Sequence, residues 1–260
     1  MIFIKVGHLF LKNSEENMKL YNKICLITGS SKGIGRSIAK AFAAEGAKVI
    51  ITYNTNKKEG IKLSKELGTG IAYKLNVIKK KNIQSVFKDV FKKFGKIDVL
   101  VNNAGTNKTN DFDKLSEKDW DIVVDVNLKG VFLCSQEVIK YMPNGGRIIN
   151  IGSLSGEYGG PRTPSYAAAK AGVMSLTHNL ARFLGKRFIN VNCISPGVIN
   201  NDFTEKTMSK DVRKIVDNLL LIPRLGKFDD LTGMAVLLAS DESNYITGQT
   251  ISINGGAWVR

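Results

Sequence analysis

Cysteine is scarce: Cys25, Cys134 and Cys193 are the only three in 260 residues. They stand far apart, each among apolar neighbours, and no C-x-x-C or comparable metal spacing occurs. That pattern excludes a cysteine-held metal module, reads as buried small hydrophobes, and fits a reducing cytoplasm. Long apolar runs are also missing. No stretch reaches the ~18 uncharged apolar residues that a bilayer-spanning helix needs, so membrane insertion is not expected. The opening MIFIKVGHLFLKNSEEN is broken by Lys5 and His8 and is followed by no A-x-A site, which argues against a secretory signal. Neither a Pro-rich linker nor an internal repeat divides the chain.

What remains is the profile of a globular protein, 43% hydrophobic and 23% charged, and long enough to bury one sizeable α/β core. Residues 1–17 read as a disordered or loosely packed extension. Residues 18–260 read as one domain, with Met18 a clean place for it to begin. The net charge of +15 invites a nucleic-acid partner, but no nucleic-acid-binding motif accompanies it. The lysines (Lys57–Lys58, Lys79–Lys81, Lys92–Lys93, Lys186–Arg187) read as dispersed over a solvated surface. Attraction of acidic partners or phosphorylated cofactors is the most that charge implies.

Short β-branched runs alternate with helical periodicity. Residues 23–28, 48–52, 71–75, 97–102, 147–151, 189–194 and 250–254 are predicted strands. Between them, Ile34, Ile38, Ala41 and Phe42 share one helix face, as do Ile83, Val86, Phe87, Val90, Phe91 and Phe94. Strands that are apolar almost throughout, alternating with helices, predict a doubly wound Rossmann-type α/β domain. Its sheet should be seven-stranded and parallel, with helices on both faces.

After the first strand comes Thr28-Gly29-Ser30-Ser31-Lys32-Gly33-Ile34-Gly35, then a helix. Glycines there permit a tight turn and let backbone N–H groups approach a pyrophosphate at the helix N-terminus. At the end of the second strand an acid would pair with the 2′-hydroxyl of NAD; this chain has Thr52-Tyr53-Asn54 instead. With Lys32 and Arg36 flanking the phosphate turn, the reading is NADP(H), whose 2′-phosphate seeks cations and repels carboxylates. Asn102-Asn103-Ala104-Gly105 closes the fourth strand with small residues suited to a cofactor crevice.

Ser153 follows the fifth strand. Tyr166 and Lys170 follow in SYAAAKAG, four apart and so on one helix face. A tyrosine titrates at ~10 when free, and a neighbouring ammonium favours a phenolate. A serine hydroxyl could then hold a substrate oxygen while a tyrosine exchanges its proton. No metal ligand set is expected.

From about Lys19 to Val259 these motifs resemble the short-chain dehydrogenase/reductase family. TGSSKGIG, NNAG, VDVNLKGVF, IGS, YAAAK, SPG and YITGQTISINGG all fall in family order. The resemblance implies Ser153, Tyr166 and Lys170 as catalytic, with Asn127 holding a water behind the lysine. It implies that Gly29, Ser31, Lys32, Gly33, Ile34, Gly35, Arg36, Tyr53, Asn54, Asn103, Ala104 and Gly105 serve the cofactor. Asn76 and Val77 would line its adenine pocket, while Pro196, Gly197 and Ile199 would border the nicotinamide beside Tyr166 and Lys170. It further implies a tetramer formed through helices at roughly 116–141 and 165–184 and the C-terminal strand.

Within the family the chain is most similar to β-ketoacyl-acyl-carrier-protein reductases, which implies NADPH-dependent reduction of a 3-oxoacyl thioester in fatty acid synthesis. Three departures touch the substrate side: Asn107-Lys108-Thr109 after NNAG, Gly160 to Ser165 before the tyrosine, and Asn201 after Pro196-Gly197. They keep open another carbonyl or alcohol substrate, such as acetoacetyl-CoA, a sugar, a polyol or a secondary metabolite. A non-catalytic cofactor-binding protein is the rival of a different class.

Overall fold

The computed structural model describes residues 18–69, 71–201, 204 and 210–259. The expected extension at 1–17 lies outside them. All seven predicted strands are present: β1 (Ile24–Ile27), β2 (Lys48–Tyr53), β3 (Ala72–Lys74), β4 (Val99–Asn102), β5 (Arg147–Ile151), β6 (Asn190–Pro196) and β7 (Thr250–Ile253). They form one sheet in the order β3-β2-β1-β4-β5-β6-β7, and every pairing is parallel. The order reverses between β1 and β4, which opens a crevice at the carboxyl ends of those strands.

Alternation along each strand explains why both faces are apolar. Cys25, Ile27, Val49, Ile51, Val99, Val101, Ile149 and Ile151 point to one layer, where α1 (Gly33–Ala44) supplies Ile38, Ala39 and Phe42 and α9 (Thr232–Ala239) supplies Ala235 and Leu238. Ile24, Leu26, Ile50, Leu100, Ile148 and Val191 point to the other. There α3 (Lys80–Phe94) contributes Ile83, Val86, Phe87 and Val90. One predicted position departs: Phe91 is exposed and packs on the Tyr141 ring at 5.1 Å. α2 (Lys57–Glu66) adds Leu63 to the first layer.

The helix expected at 116–141 is not uniform. It runs as α4 (Glu117–Val124), a π-helical turn (Asp125–Lys129) and α5 (Gly130–Val138). After β5 come a single turn, α6 (Ser155–Tyr158), and the long α7 (Pro164–Leu184), which starts on a proline as helices favour. α8 (Lys210–Leu219) precedes α9. Among the described residues no helix is long and apolar enough to cross a membrane.

The lysines are only partly dispersed, since twelve of the thirty fall on one edge of the sheet. Those twelve lie between residues 57 and 96, against three carboxylates. That segment is α2, β3 and α3, so it forms the β3 edge of the sheet.

Buried amides tie the layers beneath the crevice. Asn102 Nδ2 donates to Asn150 Oδ1 at 2.9 Å and to Ser135 Oγ at 3.0 Å, and Asn150 Nδ2 donates to Thr177 Oγ1 at 2.9 Å. This links β4, β5, α5 and α7 by polar contacts in a dry core, where an unmet partner is costly. Asn150→Leu removes one buried hydrogen-bond partner each from Asn102 and Thr177, so unfolding in urea should show a loss of about 1–3 kcal/mol. A stability equal to the parent's would show that the network contributes nothing.

Candidate active site

The glycine turn is built to be bare. Gly29 holds φ at +65°, and a Cβ there would sit 3.0 Å from the Cα of Ala104. A Cβ on Gly35 would collide with the Asn103 amide, so the first turn of α1 presses directly on the end of β4. Thr28 Oγ1 accepts from the N–H groups of Asn103 and Ala104, each at 2.9 Å. Asn103 Nδ2 returns hydrogen bonds to the carbonyls of Thr28 (2.9 Å) and Gly29 (3.1 Å). The first and fourth strands are thereby locked at the edge where a ligand would enter.

Two connected cavities lie on that edge, of about 590 and 1040 Å³, and they share Lys32, Ile34, Asn103, Gly105, Thr106 and Asn201. The larger is walled by Gly29, Ser31, Gly33, Asn54, Asn76, Val77 and Ala104. The smaller holds Asn127, Ser153, Tyr166, Lys170, Pro196, Gly197 and Ile199. Sixteen of the nineteen cofactor residues expected from sequence, and all four catalytic ones, thus line one continuous space.

The polar geometry inside is specific. Lys170 is 3% exposed, donates from Nζ to the carbonyl of Ile151 at 2.6 Å, and stands 5.5 Å from the centroid of the Tyr166 ring. One ammonium hydrogen goes to Ile151; an ammonium has two more. Asn127 is fully buried in the π-helical turn and donates from Nδ2 to Thr106 O (2.7 Å) and Val123 O (2.8 Å). Its Oδ1 is a buried acceptor with no partner in the protein, and it fills the space that a Cβ on Gly105 would need. Ser153 Oγ accepts from the N–H of Ser155 at 3.2 Å, which leaves its own hydrogen to donate.

Three expected residues lie elsewhere. Arg36 turns to α2, with its guanidinium 3.5 Å from Glu59 and 3.4 Å from Glu66. Tyr53 is buried with its ring in the space that Gly60 leaves free. Gly35 supports the turn from behind rather than lining it. Each of the three keeps the fold of the site, and none of their side chains opens onto it.

Compared with known proteins, the chain matches the family described as enoyl-(acyl carrier protein) reductase over residues 29–257. The 3-oxoacyl-[acyl-carrier-protein] reductase of Thermotoga maritima is 42% identical over 245 residues, covering 92% of this chain and 99% of that protein. The reductase of the same name from Staphylococcus epidermidis is 41% identical over 244 residues, covering 92% of this chain and all of its own length. Among solved structures, a Serratia marcescens short-chain dehydrogenase/reductase double mutant superposes with a TM-score of 0.86 at 32% identity, covering 92% of this chain and 99% of that one. This chain belongs to the short-chain dehydrogenase/reductase family. A further solved structure, the blue fluorescent protein from a metagenomic library in complex with NADPH, gives the same TM-score at 31% identity, covering 93% of this chain and all of its own.

Sequence reasoning missed several residues of this family site. Thr106, Ile122, Val126 and Phe228 line the larger cavity, and Leu154 and Thr204 the smaller. Apolar walls carry no local motif, so nothing in the sequence marks them. Tyr158 shares the cavity with Tyr166, but partial burial raises its hydroxyl above the ordinary tyrosine value. Arg162, four residues on, is paired with Asp111 at 3.0 Å. Tyr166, by contrast, has the Lys170 ammonium against its ring. Glu157 was also missed: its Oε1 accepts from Ser195 Oγ at 2.5 Å and Ser252 Oγ at 2.7 Å, fastening α6 to the ends of β6 and β7.

α6 in turn seats the lysine. A Cβ on Gly156 would lie 2.7 Å from the Ala171 nitrogen and 2.8 Å from the Lys170 carbonyl carbon. Both are helix backbone and cannot yield. Gly156→Ala should therefore push α6 off α7 at Lys170 and cost about 1–3 kcal/mol in urea unfolding. A change within about 0.5 kcal/mol, the range of a neutral surface substitution, would contradict that packing.

Proposed function

We propose that this chain uses NADPH to reduce the carbonyl of a 3-oxoacyl thioester, carried on an acyl carrier protein, to the 3-hydroxyacyl thioester of fatty acid synthesis. The observation that carries the reading is Lys170, a buried ammonium against the Tyr166 ring, in the same cavity as Asn127's unpartnered acceptor. The relatives at about 40% identity over nearly their whole length bear that activity in their names and support the substrate class. NADPH, when bound, supplies a hydride to the carbonyl carbon.

The glycine turn offers a backbone free of Cβ atoms for a pyrophosphate, which is the fit a dinucleotide requires. Lys32 lines both cavities, and the end of β2 presents Asn54 with no carboxylate. That suits a 2′-phosphate. Arg36 drops out of this role, because Glu59 and Glu66 already occupy its guanidinium.

Ser153 donates its hydroxyl hydrogen to the substrate's carbonyl oxygen and fixes its position. Tyr166 gives its phenolic proton to that oxygen as negative charge develops there. The Lys170 ammonium faces the charge left on the phenolic oxygen and stabilises it as it develops. Asn127 Oδ1 suits a bridging water, through which a proton returns by way of Lys170. The reading includes a cytoplasmic location and a homotetramer, the latter supported by large apolar side chains left exposed on α4, α5 and α7: Trp120, Ile122, Phe132 and Phe183.

Tyr166→Phe keeps the ring and should leave NADPH affinity intact, while kcat falls by about 10²–10⁴. Lys170→Ala should lower both kcat and NADPH affinity. Near-normal turnover by Tyr166→Phe on a verified substrate would refute the assignment. In binding titrations, Lys32→Ala should weaken NADPH far more than NADH, and Arg36→Ala should leave that selectivity unchanged. Equal losses of both cofactors in Lys32→Ala would show that the lysine does not read the 2′-phosphate. Light scattering should give four times the chain mass, and the monomer mass alone would exclude the tetramer.

A further inference from the structure

We infer that the lysine-rich β3 edge is an electrostatic collecting surface that speeds capture of the anionic dinucleotide at the adenine end of its cavity; the inference rests on the NADP(H) reading above. The first observation is concentration. Residues 57–96 carry twelve lysines and three carboxylates, so this short segment holds most of the chain's net charge of +15. Two of those carboxylates are already spent, since Glu59 pairs with Arg36 and Glu66 with Arg36 and Lys40, all reaching from α1. Among the described residues, the one ion pair these twelve lysines make is Lys96 with Asp98.

The second observation is placement. Lys57 and Lys58 open α2 directly after Asn54, Thr55 and Asn56, which wall the larger cavity. Lys79, Lys80 and Lys81 open α3 directly after Asn76 and Val77, which wall it too. All five lysines are exposed. The field therefore converges on one end of one cavity, where the adenosine phosphates of the proposed cofactor would enter.

The third observation is that at α3 this placement runs against local stability, whereas α2 keeps Glu59 in its first turn. Cations are disfavoured at the positive end of a helix dipole, where acids are the usual choice. α4, whose first turn lines neither cavity, follows the usual rule: Ser116 caps it and Glu117 and Asp119 occupy that turn. α3 instead has Lys79 at its N-cap, no capping side chain and no acid in its first turn. Like charges gathered where they oppose helix stability are the kind of local inconsistency that function explains. Rim charges of this sort act through the association rate and its salt dependence, and do not require contact in the complex.

The test compares two triple variants on one helix with equal charge change: Lys79→Gln/Lys80→Gln/Lys81→Gln at the cavity end of α3, and Lys88→Gln/Lys92→Gln/Lys93→Gln towards its far end. NADPH binding to the full chain is followed by stopped flow across a salt series. The first triple should lower the association rate about threefold to tenfold at low salt and leave dissociation unchanged. The difference should vanish near ~0.5 M salt, where screening shortens the reach of exposed charges. It should also unfold at the same or a higher temperature than the parent, which separates the effect from misfolding. The second triple should bind like the parent. Equal slowing in both triples, no slowing in either, or a change confined to dissociation would overturn the inference. A parent chain that binds neither NADPH nor NADH would instead overturn the functional reading itself.

Discussion

A charged amine buried to 3% exposure is expensive unless the protein pays for it with partners, and Lys170 is the group around which the site is arranged. Its ammonium meets the carbonyl of Ile151 at the end of β5 and the ring of Tyr166 one turn earlier on α7. Those contacts fix α7 relative to the sheet. Elsewhere along the same helix, Thr177 accepts from Asn150, also of β5. On its outer side α6 presses a glycine against the Lys170 backbone, and Glu157 holds α6 to β6 and β7. Sheet, helix and turn are each fastened to the others within a few residues of one cation.

The same economy holds at the nucleotide end. Four hydrogen bonds join Thr28 and Gly29, after β1, to Asn103 and Ala104, after β4, so the bare turn at Gly29 is held from beneath instead of being left as a loose loop. A cofactor bound between these two fastened regions would meet preset geometry at both ends. The unpartnered Oδ1 of Asn127 is the complementary feature: a buried acceptor left open on the wall of the cavity that also holds Ser153, Tyr166 and Lys170.

Much of this was legible in the sequence because it rests on local chemistry. Nearly continuous apolar, β-branched runs located all seven strands, because a parallel sheet covered on both faces needs apolar residues at successive positions. The i, i+4 relation of Tyr166 and Lys170 and the glycines after β1 carried the site. What was not legible depends on long-range packing. Nothing in VDVNLKGVF signals that the helix will open into a π turn at Asn127, a distortion often found at functional sites. Arg36 looked free beside the phosphate turn, because its partners Glu59 and Glu66 stand more than twenty residues away on α2. The lysine-rich stretch from 57 to 96 is readable in the sequence, but that it forms one edge follows from β3 being the outermost strand.

The most direct measurement is NADPH consumption by the full chain, with product identified, across a panel of carbonyl substrates. The panel holds an acyl-carrier-linked 3-oxoacyl thioester, acetoacetyl-CoA, and small ketones or sugars. The account predicts stoichiometric conversion of the carrier-linked thioester to its 3-hydroxy product, at a kcat/KM above every other member. Absence of NADPH oxidation with every carbonyl tested would contradict it.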